Sequence, residues 1–259
     1  MNRSFLDKYS DRKSVIHRLD PRTKFLVTVV FILMVVIMPT ATWYGFAFYL
    51  AVITGMVLLS RVPLLYVLKR SLLILPFIGI TAISVPFVKQ GEVMGSVSIG
   101  LWEISVTRTG LEIFASVLAK AWLSALSLIL LTATTRVVDL LKGLEQLRVP
   151  RVLIMIISFM YRYIFVLTDD MMRMKQARDS RNFGGRRMWQ IKTIGNMIGT
   201  LFVRSYERGE RVYSAMLARG YDGSTKILCK LSFSAMDFAF GIILGTILLL
   251  SGIWVNIVR

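Results

Sequence analysis

The residues best suited to specific chemistry are two arginines, each preceded by an alanine. Ala218 and Arg219 stand directly before Gly220, and glycine commonly follows the last turn of a helix because it adopts the left-handed conformation without strain. The same pair of residue types occurs 41 positions earlier, as Ala177 and Arg178. A guanidinium at a helix end presents a rigid fork of donors that fits a carboxylate or a set of carbonyls. The pattern therefore predicts two contact points for partner proteins, with arginines that only complement helix dipoles as the alternative.

Further arginines accompany the two pairs along amphipathic segments. At helical spacing, one face of residues 201–217 is apolar and another carries arginines. We expect the apolar face to pack against the rest of the protein and the arginine face to contact a partner, so this segment is predicted to be a docking arm. The arginines predicted to form a supporting surface are Arg181, Arg204, Arg208 and Arg211.

Residues for catalysis or metal binding are scarce. The single histidine is His17 and the single cysteine is Cys229, so no cluster has metal-ligand spacing and no internal disulfide can form. The HExxH, GxSxG and P-loop patterns are absent from the sequence. We therefore expect no catalytic residue, no metal site and no cofactor on this chain.

Composition places the chain in a membrane. Apolar residues make up 55% of the sequence and the mean hydropathy is +0.64, against roughly 45–50% apolar residues in ordinary soluble domains. The net charge is +17, but the basic residues fall in blocks between long apolar runs, which argues against nucleic acid as a partner. The lipid bilayer is the expected environment.

Five apolar runs have a length suited to membrane crossing. They are 25–38, 43–60, 71–88, 111–135 and 236–258. The first is short, so its helix is expected to begin nearer Pro21, with Asp20 as its cap. Lys120, inside the fourth run, is interpreted as a side chain that reaches Glu112 or the headgroups rather than as a functional buried charge. Residues 89–110 are predicted to form a hairpin or ordered loop outside.

The region 136–235 carries 18 basic and 8 acidic side chains and is expected to be too charged to span a membrane. It is predicted to contain three amphipathic helices, at 136–147, 151–178 and 190–219. Together with residues 1–24 and the 60–70 loop, it holds 28 of the 32 basic residues. The positive-inside rule therefore places all three segments in the cytoplasm. No cleavable signal peptide is expected, and the amino terminus stays in the cytoplasm.

The predicted fold is all-α and polytopic, with about five transmembrane helices and a cytoplasmic coupling domain of about three amphipathic helices inserted before the last span. Residues 1–135 form the amino-terminal foot and spans one to four. Residues 136–235 form the cytoplasmic helices, and 236–259 form the fifth span.

Short motifs along nearly the whole chain carry a family resemblance. They are Leu19-Asp20-Pro21-Arg22-Thr23-Lys24 before the first span, Leu147-Arg148-Val149-Pro150-Arg151, Tyr161-Arg162-Tyr163 and the two Ala-Arg pairs. With these motifs the chain resembles the transmembrane T component of energy-coupling factor transporters, the bacterial vitamin and transition-metal importers of the ABC class. The motifs that look most like the cobalt and nickel branch are Tyr9-Ser10, Ser14 with His17, Arg204-Ser205-Tyr206-Glu207-Arg208 and 215–223.

The resemblance implies a non-catalytic subunit of the bacterial cytoplasmic membrane. It would couple two cytoplasmic ATPase subunits, which bind the ATP, to a membrane subunit that captures substrate, cobalt or nickel in the branch favoured here. The family signature is two Ala-Arg-Gly motifs, so the resemblance implies that Arg178 and Arg219 dock into grooves of the two ATPases. The first motif departs from the signature because Asp179 stands in place of glycine.

Other functions stay open on the sequence. Within the same family, the chain could serve vitamin-binding partners. In different classes, it could be a membrane-bound enzyme or a structural anchor whose basic arm binds anionic lipid. Copurifying ATPases would support the transporter interpretations, whereas turnover of a lipid or small molecule by the lone chain would favour an enzyme.

Overall fold

The structure, a computed structural model, describes residues 14–40, 42–83, 93–99, 102–181, 187–223 and 235–257. Within these ranges the chain forms ten helices and two strands. In chain order they are α1 (Val15–Arg18), α2 (Pro21–Ile37), α3 (Trp43–Ser60), α4 (Leu64–Leu72), α5 (Leu75–Ala82), β1 (Val93–Ile99), β2 (Trp102–Thr107), α6 (Arg108–Thr134), α7 (Val137–Gln146), α8 (Arg151–Asp179), α9 (Arg187–Ala218) and α10 (Ala235–Ile257). The predicted all-α membrane fold is confirmed, and the hairpin predicted within 89–110 is the antiparallel pair of β1 and β2.

The chain divides into two compact units. The first comprises Met1–Gly143 together with Leu231–Arg259, and the second is Leu144–Lys230. The first unit contains the apolar helices α2 to α6 and α10, and the second contains the long charged helices α8 and α9.

The start of α2 follows from its local sequence. The Asp20 side chain accepts a hydrogen bond from the backbone N–H of Arg22 at 3.0 Å, which satisfies a donor that the helix leaves unpaired. Pro21 occupies the first helical position, where no amide donor is needed. The prediction that the first apolar helix begins near Pro21 with Asp20 as its cap is therefore confirmed.

The third apolar run forms two short helices rather than one. The first of them, α4, begins at Leu64, well before the predicted start at Ser71. Pro76 lies in the first turn of α5, consistent with the expected disruption by proline. The helix begins earlier because Lys69 and Arg70, which precede the predicted run, lie within α4, where the Arg70 guanidinium donates to the Tyr66 hydroxyl at 2.6 Å.

The last helix, α10, packs parallel to α2. A side chain at Gly241 would meet the Thr23 methyl group at 3.2 Å, and one at Gly252 would meet the Met34 sulfur at 3.2 Å. The glycines thus allow the two helices to approach closely, as small residues do in membrane helix pairs. Gly245 completes a GxxxG spacing with Gly241 but faces open space, so it takes no part in this contact.

Lys120 in α6 caps the carboxyl end of α2. Its ammonium donates to the Val36 carbonyl at 2.9 Å and to the Met38 carbonyl at 2.5 Å, at a helix end where carbonyls lack intrahelical donors. The expectation that Lys120 reaches Glu112 is wrong, because Glu112 instead lies 3.6 Å from the Arg108 guanidinium. Lys120 is a structural helix cap that ties α6 to α2 in antiparallel orientation.

A buried polar cluster closes the other end of this helix bundle. Lys24, 7% exposed, donates to the carbonyls of His17 at 3.2 Å and Thr134 at 3.3 Å. The backbone N–H of Asp20 donates to the Asp237 carboxylate at 2.8 Å. Thr134 ends α6 and Asp237 lies in the first turn of α10. The intervening chain therefore leaves the first unit and returns to it at the same end of the bundle.

Much of the apolar surface of the first unit points outward. Its core includes Tyr49, whose ring meets Phe31 edge-on with centroids 5.6 Å apart and whose hydroxyl accepts a hydrogen bond from Ser251 at 3.1 Å. Outside this core, large side chains such as Leu33 and Phe77 are more than half exposed. Extended exposed apolar surface of this kind is suited to contact with lipid.

Four described helical stretches are long and apolar enough to cross a membrane, judged by length and composition. They are Trp43–Ser60, Leu64–Ala82, Arg108–Thr134 and Arg151–Asp179, and Met236–Gly252 is a shorter apolar helix. Because α8 is one of these stretches, the expectation that the whole of 136–235 is too charged to span a membrane does not hold for α8. Its charges other than Arg151 and Arg162 begin at Asp169, so its first half is apolar although the region as a whole is charged.

Candidate partner-docking site

The carboxyl end of α9 presents Arg219 at a sharply terminated helix. The Tyr221 N–H donates to the Met216 carbonyl at 3.0 Å and the Gly220 N–H donates to the Leu217 carbonyl at 2.9 Å, the two bonds of a Schellman motif. Gly220 has a φ of 81°, the left-handed conformation predicted for it. The exposed Arg219 guanidinium makes no hydrogen bond or ion pair with any residue that the structure describes. The second tip is defined as Ala218, Arg219 and Gly220.

The carboxyl end of α8 has a different geometry. Arg178 lies in the last helical turn, and its Nε and Nη2 donate to a single oxygen, Oδ1 of Asp179, at 2.9 and 2.8 Å. The chain stays right-handed at Ser180, whose hydroxyl donates to the Ala177 carbonyl at 3.0 Å. The first tip is defined as Ala177, Arg178 and Asp179. The two sequence pairs thus give one arginine held by its neighbour and one that is bare.

Two contacts join α8 to α9 and to the residues directly after α9, in antiparallel register. The Arg208 guanidinium donates to Oδ2 of Asp170 at 2.8 Å, and the Tyr221 hydroxyl donates to the Met155 sulfur at 2.8 Å. The contact residues on α8, Met155 and Asp170, are 15 positions apart. Their partners, Tyr221 and Arg208, are 13 positions apart and follow each other in the opposite direction along the chain. The two helices therefore form a hairpin that is tied at two levels.

The two tips lie far apart on this hairpin. Arg219 is held near the level of Met155, because Tyr221, two residues later, contacts Met155. Arg178 lies 23 residues beyond Met155 on the same helix, a rise of roughly 35 Å at about 1.5 Å per residue. One hairpin thus presents arginines at two well-separated points.

The arginines predicted to support the tips differ in their surroundings. Arg208 is engaged in the contact that ties the hairpin together. Arg211 lies 3.8 Å from Glu207, one helical turn away, and both side chains are exposed. Arg204 lines a shallow groove on α9 that also includes Glu207, and Arg181 is exposed in the turn after α8.

The sequence-based reasoning missed Asp170 and Met155, and it named Tyr221 only as part of the motif 215–223, without its contact. Asp170 left a signal, because an acidic pair within a strongly basic region indicates an internal partner for an arginine. The contact between Met155 and Tyr221 left none, since the two residues are 66 positions apart and neither has an unusual local pattern.

The described residues contain no group of three or more His, Cys, Asp or Glu side chains that could hold a metal ion. Nδ1 of His17 lies 2.7 Å from the Ser14 hydroxyl, at the amino end of α1. Cys229 lies outside the described residues. The chemistry of the candidate site is accordingly that of its guanidinium groups.

Fold and site define a multi-pass helical membrane protein with a charged helical hairpin inserted before its last apolar helix. Residues 12–228 match the family model for the cobalt transport protein CbiQ. The energy-coupling factor transporter transmembrane protein EcfT of Listeria innocua is 30% identical over 234 residues, which cover 86% of this chain and 86% of that relative. The chain therefore belongs to the CbiQ and EcfT family of transmembrane components of energy-coupling factor transporters. It is a non-catalytic transport component.

Two further relatives show the breadth of the family. An uncharacterised protein of Methanocaldococcus jannaschii is 32% identical over 247 residues, 91% of this chain and 81% of the relative. A putative fused cobalt transport protein CbiMQ of Methanocorpusculum labreanum is 33% identical over 127 residues, 48% of this chain and 21% of the relative. The resemblance stated from the motifs is thus confirmed at the level of the family, and these matches do not distinguish its branches.

Proposed function

We propose that this chain is the coupling subunit of an energy-coupling factor importer. It carries the ATP-driven motion of two cytoplasmic ATPase subunits to a separate membrane subunit that captures the substrate. The observation that carries the proposal is the pair of arginine tips, separated along one hairpin that is tied by two interhelical contacts. Two distant contact points on one arm suit two ATPase copies, each of which receives one arginine. ATP is bound by those partners, and this chain needs no cofactor.

The second tip is well suited to docking. Arg219 projects from a helix that ends in two hydrogen bonds around a left-handed glycine, so its backbone is held while its guanidinium is unengaged within the described structure. Such a fork binds carboxylates and carbonyls in a fixed geometry. A guanidinium desolvated in a socket would resist displacement when the ATPases move, and would pass their motion to α9.

The arrangement of the first unit supports a hairpin that lies outside the bilayer. Thr134 and Asp237 meet at the same end of the bundle, so the chain between them crosses the membrane an even number of times. A crossing by α8 would therefore require a second one by α9, which carries seven charged residues from Arg187 to Arg211 inclusive. Charge makes that second crossing costly, which supports the proposal that α8 and α9 belong to a cytoplasmic coupling region.

Charge distribution supports the orientation. Lys24 is the last residue of the basic segment 1–24, and Thr134, whose carbonyl it binds, precedes the basic segment 136–235 in the sequence. Basic residues are retained on the cytoplasmic side. We therefore propose that the protein lies in the cytoplasmic membrane with its amino terminus on the cytoplasmic side.

The proposed substrate is cobalt or nickel ion. Two findings support it: the matching family model is described as a cobalt transport protein, and a relative that matches 48% of this chain is a putative fused cobalt transport protein. The alternative is a vitamin importer, because relatives of comparable identity carry the general name of energy-coupling factor transporter component. The capturing subunit, rather than this chain, would determine which substrate is carried.

Affinity purification from the native membrane tests the proposal. The tagged chain is expected to bring down ATPase subunits and a further membrane protein, and cells lacking the chain are expected to lose uptake of radioactive cobalt or nickel. Loss of vitamin uptake instead would support the alternative substrate. Recovery of the chain without any ATPase, under mild detergent conditions that preserve other ABC transporters, would contradict the coupling function.

A further inference from the structure

The chain leaves the first unit through α7 and returns to it before α10. Residues 137–143 of α7 belong to the first unit and the rest of this helix belongs to the second, so the helix is continuous where the chain passes from one unit to the other. The chain is back in the first unit when α10 begins at Ala235. Both α7 and α10 contact the beginning of α2.

Gly143 is the point at which α7 touches the first turn of α2. A Cβ atom at Gly143 would lie 3.3 Å from the backbone nitrogen of Arg22 and 3.4 Å from Cβ of Pro21, so a side chain there has no room. The Arg22 nitrogen is itself held, because its N–H donates to the Asp20 carboxylate at 3.0 Å. Close-packed contacts transmit displacement, so a movement of α7 would press directly on the backbone of α2.

The first turn of α10 is held at the same place. The Asp237 carboxylate, on a residue only 3% exposed, accepts a hydrogen bond at 2.8 Å from the backbone N–H of Asp20. Asp20 therefore caps α2 with its side chain and binds α10 with its backbone. One turn further along α2, Lys24 donates to the carbonyl of Thr134, the last residue of α6. These contacts tie the ends of three apolar helices together where the inserted region begins and ends.

An arm joined to the bundle only by flexible loops would move without displacing it, whereas packed and hydrogen-bonded contacts carry movement from one element to the next. We propose that Gly143 and Asp20 are positioning residues for coupling, which form a rigid junction between α7, α2 and α10. Movement of the charged hairpin reaches α2 and α10 through this junction. This inference rests on the proposed function.

The test uses the complete transporter in proteoliposomes and measures uptake per ATP hydrolysed, with radioactive cobalt, nickel or vitamin, whichever the wild-type complex carries. Gly143→Leu should still hold ATPase, because both arginine tips lie in the second unit. Its uptake per ATP is expected to fall roughly fivefold or more, because the side chain lifts α7 from α2, and Gly143→Ala should show a smaller fall. Gly245→Ala in α10 is the control, since its Cβ meets open space. Loss of stability alone would reduce the amount of complex without changing this ratio.

A cysteine pair tests the rigidity of the junction without overpacking it. In a Cys229→Ser background, Pro21→Cys with Gly143→Cys places two Cβ atoms about 3.4 Å apart, close to the roughly 3.5–4.5 Å of a disulfide. The oxidised complex should couple uptake to hydrolysis like Pro21→Cys alone, because the junction moves as one body. Hydrolysis without uptake in the oxidised complex alone would show that α7 must leave α2 during transport.

That result, or a wild-type ratio of uptake to hydrolysis in Gly143→Leu, would overturn the inference while leaving docking at the arginine tips in place. Should Gly143→Leu fail to assemble, Gly143→Ala and the cysteine pair decide. A wild-type chain that holds no ATPase would contradict the proposed function, and the inference about the junction would fail with it.

Discussion

The Arg208 guanidinium on α9 donates to the Asp170 carboxylate on α8 at 2.8 Å, and both side chains are about two-thirds or more buried. Arg208→Ala should lower the stability of the hairpin, because it removes a hydrogen bond between charged groups and leaves a partly buried carboxylate. The expected loss is about 1 to 2 kcal/mol, read as a lower melting temperature in detergent. The double variant with Arg208→Asp and Asp170→Arg should recover part of it.

Arg211 provides the control for that contact. Its ion pair with Glu207 is exposed, with its side chain 69% accessible, and exposed pairs one helical turn apart contribute little. Arg211→Ala should therefore leave the melting temperature nearly unchanged. Equal destabilisation by Arg211→Ala and Arg208→Ala would show that the interhelical geometry of Arg208 is not what matters.

Two glycines of the second unit should respond to alanine with opposite signs. Gly220 has a φ of 81° and open space around it, so Gly220→Ala is penalised by backbone strain alone, by about 1 to 2 kcal/mol. Gly199 lies inside α9 with equally open space, so Gly199→Ala should stabilise by about 0.5 to 1 kcal/mol. Hydrogen exchange of the α9 amides measures both, and stabilisation by Gly220→Ala would refute the assignment of the Schellman end.

Much of this architecture could be predicted because it depends on local sequence. The Asp20 cap and the termination at Gly220 each require only a few adjacent residues, whose preferences are strong. The apolar runs follow from composition over about 20 residues, since backbone groups in lipid must be paired within the helix.

Long-range contacts could not be predicted in the same way. Lys120 binds carbonyls of residues more than 80 positions away, so a local pattern suggested Glu112, the carboxylate two turns earlier. Likewise, the two Ala-Arg pairs look alike in sequence, so the hydrogen bond from Arg178 to Asp179 was not predicted, because it depends on side-chain geometry. Arg186, a basic residue between α8 and α9 in the sequence, lies outside the described residues.

Lys120→Met should destabilise the first unit. The substitution keeps the length of the side chain but leaves the Val36 and Met38 carbonyls without their donor, with an expected cost of about 1 to 3 kcal/mol. Glu112→Gln is the control, because Glu112 contacts Arg108 at an exposed site. The measurement is thermal unfolding in lipid nanodiscs, and a larger effect of Glu112→Gln would restore the rejected pairing with Lys120.

Lys24→Met should have a larger effect on the same unit. The ammonium is buried, holds two carbonyls and lies within electrostatic range of Asp139, Asp237 and Asp20. Its removal leaves buried negative charge uncompensated, which typically costs about 3 to 5 kcal/mol. Protein yield and the midpoint of thermal unfolding would report it. A variant as stable as the wild type would show that the cluster does not depend on the ammonium.

The central claim is that Arg178 and Arg219 each fill a socket on one ATPase. The most direct measurement is ATPase copurification together with metal uptake for wild type, Arg178→Ala, Arg219→Ala, the double variant, Arg219→Lys and, as a control in the polar connection, Arg186→Ala. Arg178→Ala and Arg219→Ala are each expected to lose about 2 to 5 kcal/mol of docking free energy, and the double variant is expected to lose more than either. Arg219→Lys should lose less than Arg219→Ala, because lysine keeps the charge, but it should still fall below the wild type because it lacks the planar guanidinium. Arg186→Ala should behave like the wild type. Wild-type assembly and uptake in both Arg178→Ala and Arg219→Ala would contradict the claim and leave these arginines as helix-end charges.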